Sequence, residues 1–152
     1  MEAESGYLGG RWTVTANSGA SGGAHIQVNP IYNSTGGAPD GTTPEYLASY
    51  PFNIAIAGNH RFWFRMFAAT ADDDSFFWRI DGGDWTMENG RTGSGTWYSV
   101  DSAQLDSLAA GGHVLDIAYR ENGAGLDKFV IQPDGASAPS GHGPAESLLP
   151  AA

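Results

Sequence analysis

The 152-residue chain has no cysteine. Disulfides and thiolate metal sites are therefore excluded, and the absence is silent on compartment. Positive charge is scarce too: 7 Lys and Arg stand against 17 Asp and Glu, a formal net charge of −10 with a pI near 4.5. Such a chain is repelled by phosphate backbones and anionic lipid, which excludes nucleic acid and membrane as expected partners. No apolar run approaches the roughly 20 residues of a spanning helix, and no signal peptide precedes the first acidic residues. Long helical patterns are also missing. With 22 glycines and only 16% charged residues, the composition favours turns and short strands. At this length, with 41% hydrophobic residues, one domain with a sizeable core is the simplest organisation.

What the chain does have is period-two alternation. Trp12, Val14 and Ala16 alternate with polar residues, as do Ala24, Ile26 and Val28. Tyr50, Phe52, Ile54 and Ile56 form the next inward series, followed by Phe62, Phe64 and Met66, then Phe76, Trp78 and Ile80. "TWYSVDS", "HVLDIAYR" and "LDKFVIQ" complete the set, and a short turn around residues 102–108 is the one helical candidate. Turn signals such as "STGGAPDGTTP", "TADDDS" and "NGRTGSG" separate these runs. About eight short strands at this spacing predict an all-β fold, an antiparallel β-sandwich of the jelly-roll kind. The alternation ends near residue 132, and the Pro-, Gly-, Ala- and Ser-rich stretch 133–152 reads as a linker or disordered tail.

Catalytic signatures are absent. His25, His60, His113 and His142 fall in separate stretches, and no nucleophile elbow, HExxH or phosphate-cradling loop occurs. No pair of carboxylates is marked by its context as a glycosidase acid and base. Acids cluster elsewhere. Glu2 and Glu4, two apart in a strand, project to the same side and repel each other unless a cation lies between them. Asp127 stands beside Leu126 at the start of an apolar strand, a poor place for an unpaired charge. Calcium takes six to eight oxygen ligands, and these three carboxylates suit it if the first and last strands are neighbours. "TADDDS" reads as a solvated hairpin loop rather than a second metal site.

Trp12 and Trp78 fall in the core phase, whereas Trp63 lies in the opposite phase between Arg61 and Arg65. Trp85 follows a "DGG" turn, and Trp97 follows a glycine-rich loop. Exposed aromatics of this kind stack on the apolar face of a sugar ring while polar neighbours bond its hydroxyls. Arg65 and Arg79 share the outward phase of consecutive strands. A hairpin there would bring two guanidiniums together, fit for an acidic polysaccharide.

The ordered stretches "EAESG", "ASGGAHI", "YPFNIAIAGNHRFWFRM", "DDDSFFWRIDGGDW", "GTWYSV" and "LAAGGHVLDIAYRENGAGLDKFVI" resemble the carbohydrate-binding modules of families 6 and 35. The resemblance implies a jelly roll over residues 1–132 with a structural calcium held by Glu2, Glu4 and Asp127, aided by a backbone oxygen near "SGGAH". It also implies a sugar site in loops at one end, with Trp97 and Asn122 as the nearest matches. Gly125 departs from the family pattern, and there is no second Trp ahead of Trp97. Tyr32 or Tyr98 is then left to supply the other wall, or the sheet face around Trp63 and Arg65 takes over. The expected function is that of a monomeric, non-catalytic module binding a polysaccharide or oligosaccharide. It would be secreted as part of a larger polysaccharide-degrading enzyme, which it targets to substrate. The alternative is a structural or adhesion domain of the same fold without sugar binding.

Overall fold

The alternating runs form strands because each buries one row of side chains against a second sheet and leaves the other row outside. The computed structural model describes residues 1–39 and 43–147. Residues 40–42, inside the "STGGAPDGTTP" connection, and 148–152, at the end of the expected linker, lie outside the described residues. Among the described residues there are ten strands: β1 (Tyr7–Leu8), β2 (Trp12–Ala16), β3 (Ala24–Val28), β4 (Leu47–Ile54), β5 (His60–Ala68), β6 (Phe76–Ile80), β7 (Thr86–Glu88), β8 (Gly93–Val100), β9 (Gly111–Tyr119) and β10 (Gly125–Pro133). They make two five-stranded sheets, ordered β1-β4-β9-β6-β7 and β2-β3-β10-β5-β8, and every pairing is antiparallel. The expected short turn near residues 102–108 is a 3-10 turn, Ala103–Leu105.

Between the sheets lie Tyr50, Phe76, Trp78, Leu115 and Ile117 from one side and Ile26, Phe62, Phe64, Met66 and Phe129 from the other, all fully buried. Phe62 meets Trp78 at 5.1 Å between ring centroids, and Phe64 meets Phe76 edge-on at 4.9 Å. Four residues of the expected inward series, Val14, Ala16, Ala24 and Ile56, are not in this core. Val14 is 54% exposed because β2 is an edge strand, and Ile56 is 79% exposed because β4 ends at Ile54.

Three further differences from the sequence reading bear on the site. Residues Ala3–Ser5 form a 3-10 turn, so Glu4 does not lie two along a strand from Glu2. β5 and β6 are consecutive yet belong to different sheets, so Arg65 and Arg79 are not a hairpin pair. Trp97 lies within β8, opposite Arg65, and not in a loop. A register shift between Leu126 and Lys128 also breaks the alternation of β10. Leu126 and Phe129 both reach the core, and the residues between them, Asp127 and Lys128, are buried outside it. A β-bulge does this by inserting one extra residue into the ladder.

Candidate functional site

The N-terminal residues run beside β10, with an isolated bridge between Glu2 and Lys128. Met1 fixes the register: its amino group donates to the Phe129 carbonyl at 2.8 Å and its own carbonyl accepts from the Phe129 amide at 2.9 Å. The hydroxyl of buried Tyr50 donates to the Ala3 carbonyl at 2.6 Å and pins the 3-10 turn. Burial raises the Tyr50 hydroxyl pKa well above its ordinary value. Glu2, Glu4 and Asp127 are thereby gathered around Ser21 and Gly22. Ser21 Oγ donates to Glu2 Oε1 at 2.7 Å, and the Ser21 amide donates to Asp127 Oδ2 at 3.2 Å. A Cβ on Gly22, whose φ is +67°, would come within 2.7 Å of Glu4 Oε1.

Two cations share this cluster. Arg65 Nη1 donates to Asp127 Oδ2 at 2.6 Å and to the Gly19 carbonyl at 3.0 Å. Lys128 Nζ lies 3.1 Å from Glu2 Oε1. Desolvation, reinforced by Glu2 and Asp127, raises the Glu4 carboxyl above its ordinary value. Among the described residues, no three His, Asp or Glu side chains are placed so that together they could hold a metal ion. Yet Glu2 Oε2, Glu4 Oε2 and Asp127 Oδ1 are each buried without a hydrogen-bond partner. Buried carboxylate oxygens without partners, one from each of these residues, are of the chemical kind that calcium takes as ligands.

The expected sugar-site residues separate into three places. At the end of the sandwich where β9 leads into β10, Asn122 Nδ2 donates to the Tyr32 carbonyl at 2.7 Å. The Asn122 amide donates to Ser34 Oγ at 3.0 Å. The Arg11 guanidinium lies 4.2 Å from the ring centroids of both Tyr32 and Tyr46 and donates to the Tyr119 hydroxyl at 2.7 Å. An adjoining groove of about 280 Å³ is lined by Thr35, Tyr46 and Tyr119 among others. Tyr98 is elsewhere: its ring stacks on Phe64, and its hydroxyl donates to the Thr92 carbonyl.

Trp63, Arg65 and Trp97 are on the outer face of the β2-β3-β10-β5-β8 sheet. The C-terminal segment crosses that face. Trp97 Nε1 donates to the Gly141 carbonyl at 2.9 Å, Lys128 Nζ donates to the Pro144 carbonyl, and Glu146 Oε1 accepts from the Glu2 amide at 3.2 Å. A Cβ on Gly143 would come within 2.7 Å of the Trp97 ring. Trp97 is only partly exposed and Arg65 is buried, so the aromatic platform expected here is already covered.

The opposite outer face carries an arrangement that no sequence motif marked. Strand register sets Tyr7, Ser49, Asp116 and Arg79 in one rung across β1, β4, β9 and β6. Ser49 Oγ donates to Asp116 Oδ1 at 2.6 Å, and Arg79 Nε donates to Asp116 Oδ2 at 2.9 Å. Arg79 Cζ stands 4.3 Å from the Trp85 ring centroid, which extends the row by a second aromatic. Tyr7, at the other end, is 49% exposed. An open groove of about 530 Å³ runs beside Tyr7, Leu47 and Ser49. Tyr7, Ser49, Asp116 and Arg79 lie on outward positions of their strands and Trp85 follows the "DGG" turn, but the strand order that joins them is not a local property of the sequence.

No family model matches the chain, and no curated protein matches it. Solved structures do. A family 35 carbohydrate-binding module from Clostridium thermocellum superposes with a TM-score of 0.61 at 20% identity, over 86% of this chain and 96% of that one. A family 6 module of Cellvibrio mixtus lichenase 5A, in complex with cellotriose, gives 0.59 at 19% identity over 86% and 93%. An exo-β-1,3-galactanase from Phanerochaete chrysosporium, with β-1,3-galactotriose, gives 0.59 at 22% identity over 87% of this chain but 28% of its own. The chain thus spans little more than a quarter of that enzyme. Its fold is the β-sandwich of the carbohydrate-binding modules of families 6 and 35.

Proposed function

We propose that the chain is a non-catalytic carbohydrate-binding module that grips an oligosaccharide or polysaccharide along the Tyr7–Ser49–Asp116–Arg79–Trp85 row. The observation that carries this is the row itself: two aromatics bracketing a line of polar side chains. Its four strands span roughly 14 Å by ordinary strand spacing. Sugar rings present apolar faces to aromatics and hydroxyls to planar polar groups. Arg79 bonds Asp116 through its Nε, and its Nη groups make no hydrogen bond to protein among the described residues, which leaves donors for hydroxyl oxygens. The fold shared with known modules supports the same reading.

A second reading places the sugar at the loop end, favoured by the direct contact between Asn122 and Tyr32. Glycan-array binding by Trp85→Ala, Tyr7→Ala and Tyr32→Ala separates the two. The expected result is that Trp85→Ala and Tyr7→Ala lose binding about tenfold or more, as stacking losses of 1–3 kcal/mol elsewhere do, with melting little changed. Loss confined to Tyr32→Ala would move the site to the loops. Retention of full binding by all three would remove both, and a wild-type chain that binds no glycan would leave a structural or adhesion domain.

Calcium is proposed as the structural ion of the cluster, held by Glu2, Glu4 and Asp127, whose three unpartnered oxygens are its support. When bound, it would tie the N-terminal turn to β10. In its larger setting we propose that the module is secreted with a polysaccharide-degrading enzyme and raises that enzyme's effective concentration at the substrate. The galactanase, in which the matching part is 28% of the chain, is an example of such an arrangement of lengths.

A further inference from the structure

Lys128 follows Asp127 directly, and the two should face opposite ways in a regular strand. The bulge in β10 cancels that alternation and places the Lys128 ammonium among the carboxylates. The side chain is 2% exposed as a residue and all of its donor capacity is engaged: Glu2 Oε1 at 3.1 Å, Ser21 Oγ at 3.3 Å and the Pro144 carbonyl. An ammonium has three donors, so none is spare. Ser21 in turn donates to the same Glu2 oxygen at 2.7 Å. With Arg65 on Asp127 at 2.6 Å, two fixed cations offset three gathered carboxylates. A buried charge is tolerated only when it is paired and hydrogen-bonded, and here each positive group meets that condition through the acids that would ligate a metal.

We infer that Lys128 is a tethered counter-ion that competes with the divalent cation for the Glu2, Glu4 and Asp127 cluster. It holds the acids together in the metal-free protein and lowers the affinity of the loaded one. The inference rests on the calcium reading of the cluster. A divalent ion beside Glu2 faces the ammonium at close range in a shielded place, where like charges oppose each other far more than in water. Glu2 must also exchange its bond to Lys128 for one to the metal.

The test is a calcium titration by calorimetry of the wild-type chain and of Lys128→Met, with melts of both in calcium and in chelator. Lys128→Met should bind calcium about tenfold tighter or more, the scale on which a neighbouring charge shifts proton affinity. In chelator it should melt below the wild type, and calcium should raise its melting temperature by more than it raises that of the wild type. Lys128→Arg, which keeps the charge, should stay close to wild-type affinity. Should the Met variant fail to fold even with calcium, Lys128→Gln, which keeps polar contact with Ser21 and Pro144, carries the same comparison. Equal calcium affinity in the wild type and the neutral variants overturns the inference and leaves the metal site standing. No calcium binding by any of them removes the metal site, and the inference with it.

Discussion

Trp78 is fully buried, and its Nε1 donates to Glu88 Oε1 at 3.1 Å. Glu88 is itself buried and takes Arg91 on its other oxygen, with Nη2 at 2.9 Å and Nε at 3.2 Å. Trp78→Ala therefore opens a cavity against Phe62 and strips one bond from a buried carboxylate. Large aromatic truncations cost about 3–5 kcal/mol, and urea denaturation should show a loss of that size. His113 belongs to a more exposed contact. Its hydrogen bond to Asp81 Oδ2 at 2.6 Å, then its bond to the Ala109 carbonyl at 2.9 Å, raise its pKa above the ordinary 6.5. A folded-state pKa above the unfolded one means that protonated His113 stabilises the fold. That contribution is fully present below about pH 6.5 and fades as pH rises through the higher folded value. The melting temperature of the wild type should fall relative to that of His113→Gln between pH 6 and pH 8. Parallel curves for the two would contradict the assignment.

At the scale of elements, the sequence announced eight of the ten described strands, missing the short β1 and β7, more readily than it announced which strands are neighbours. The inward rows of β4, β5, β6 and β9 can be read directly from alternating Phe, Ile, Tyr and Leu. Val14 misleads because an edge strand covers less of the core than its pattern implies. Asp127 and Lys128 mislead because a bulge is set by pairing with β5, not by composition. The segment after β10 has no alternation to read, yet it crosses the outer face and engages Trp97. Replacing Trp97 by Ala should loosen that crossing without unfolding the sandwich, because the ring lies outside the core. Hydrogen exchange should then quicken at the Gly143 amide, which donates to the Ser140 carbonyl at 2.8 Å. Protection there should fall while the amides of β5 and β10 keep theirs.

At the scale of the whole molecule, a β-sandwich was legible because alternation and turn spacing are global statistics that survive local errors. The candidate row on the outer face was not, since it is assembled from four strands whose order only the folded chain reveals. Glu2, Glu4 and Asp127 were marked by chemistry, two like charges and one acid among apolar residues; in the fold Glu2 and Asp127 both bond Ser21, and Glu4 Oε1 lies over Gly22. The strand order has a further consequence, for synthesis. Among the described strands, only β2–β3 and β6–β7 pair neighbours in sequence. β9 and β10 are the last of the described strands, yet each is the middle strand of its sheet, β9 between β4 and β6 and β10 between β3 and β5. Folds dominated by such distant pairings form slowly, in milliseconds to seconds. A growing chain can close its two local hairpins early, but its sheets lack their centres until residues 111–133 have left the ribosome. The edges of β3, β4, β5 and β6 therefore remain open to wrong partners until β9 and β10 have been made.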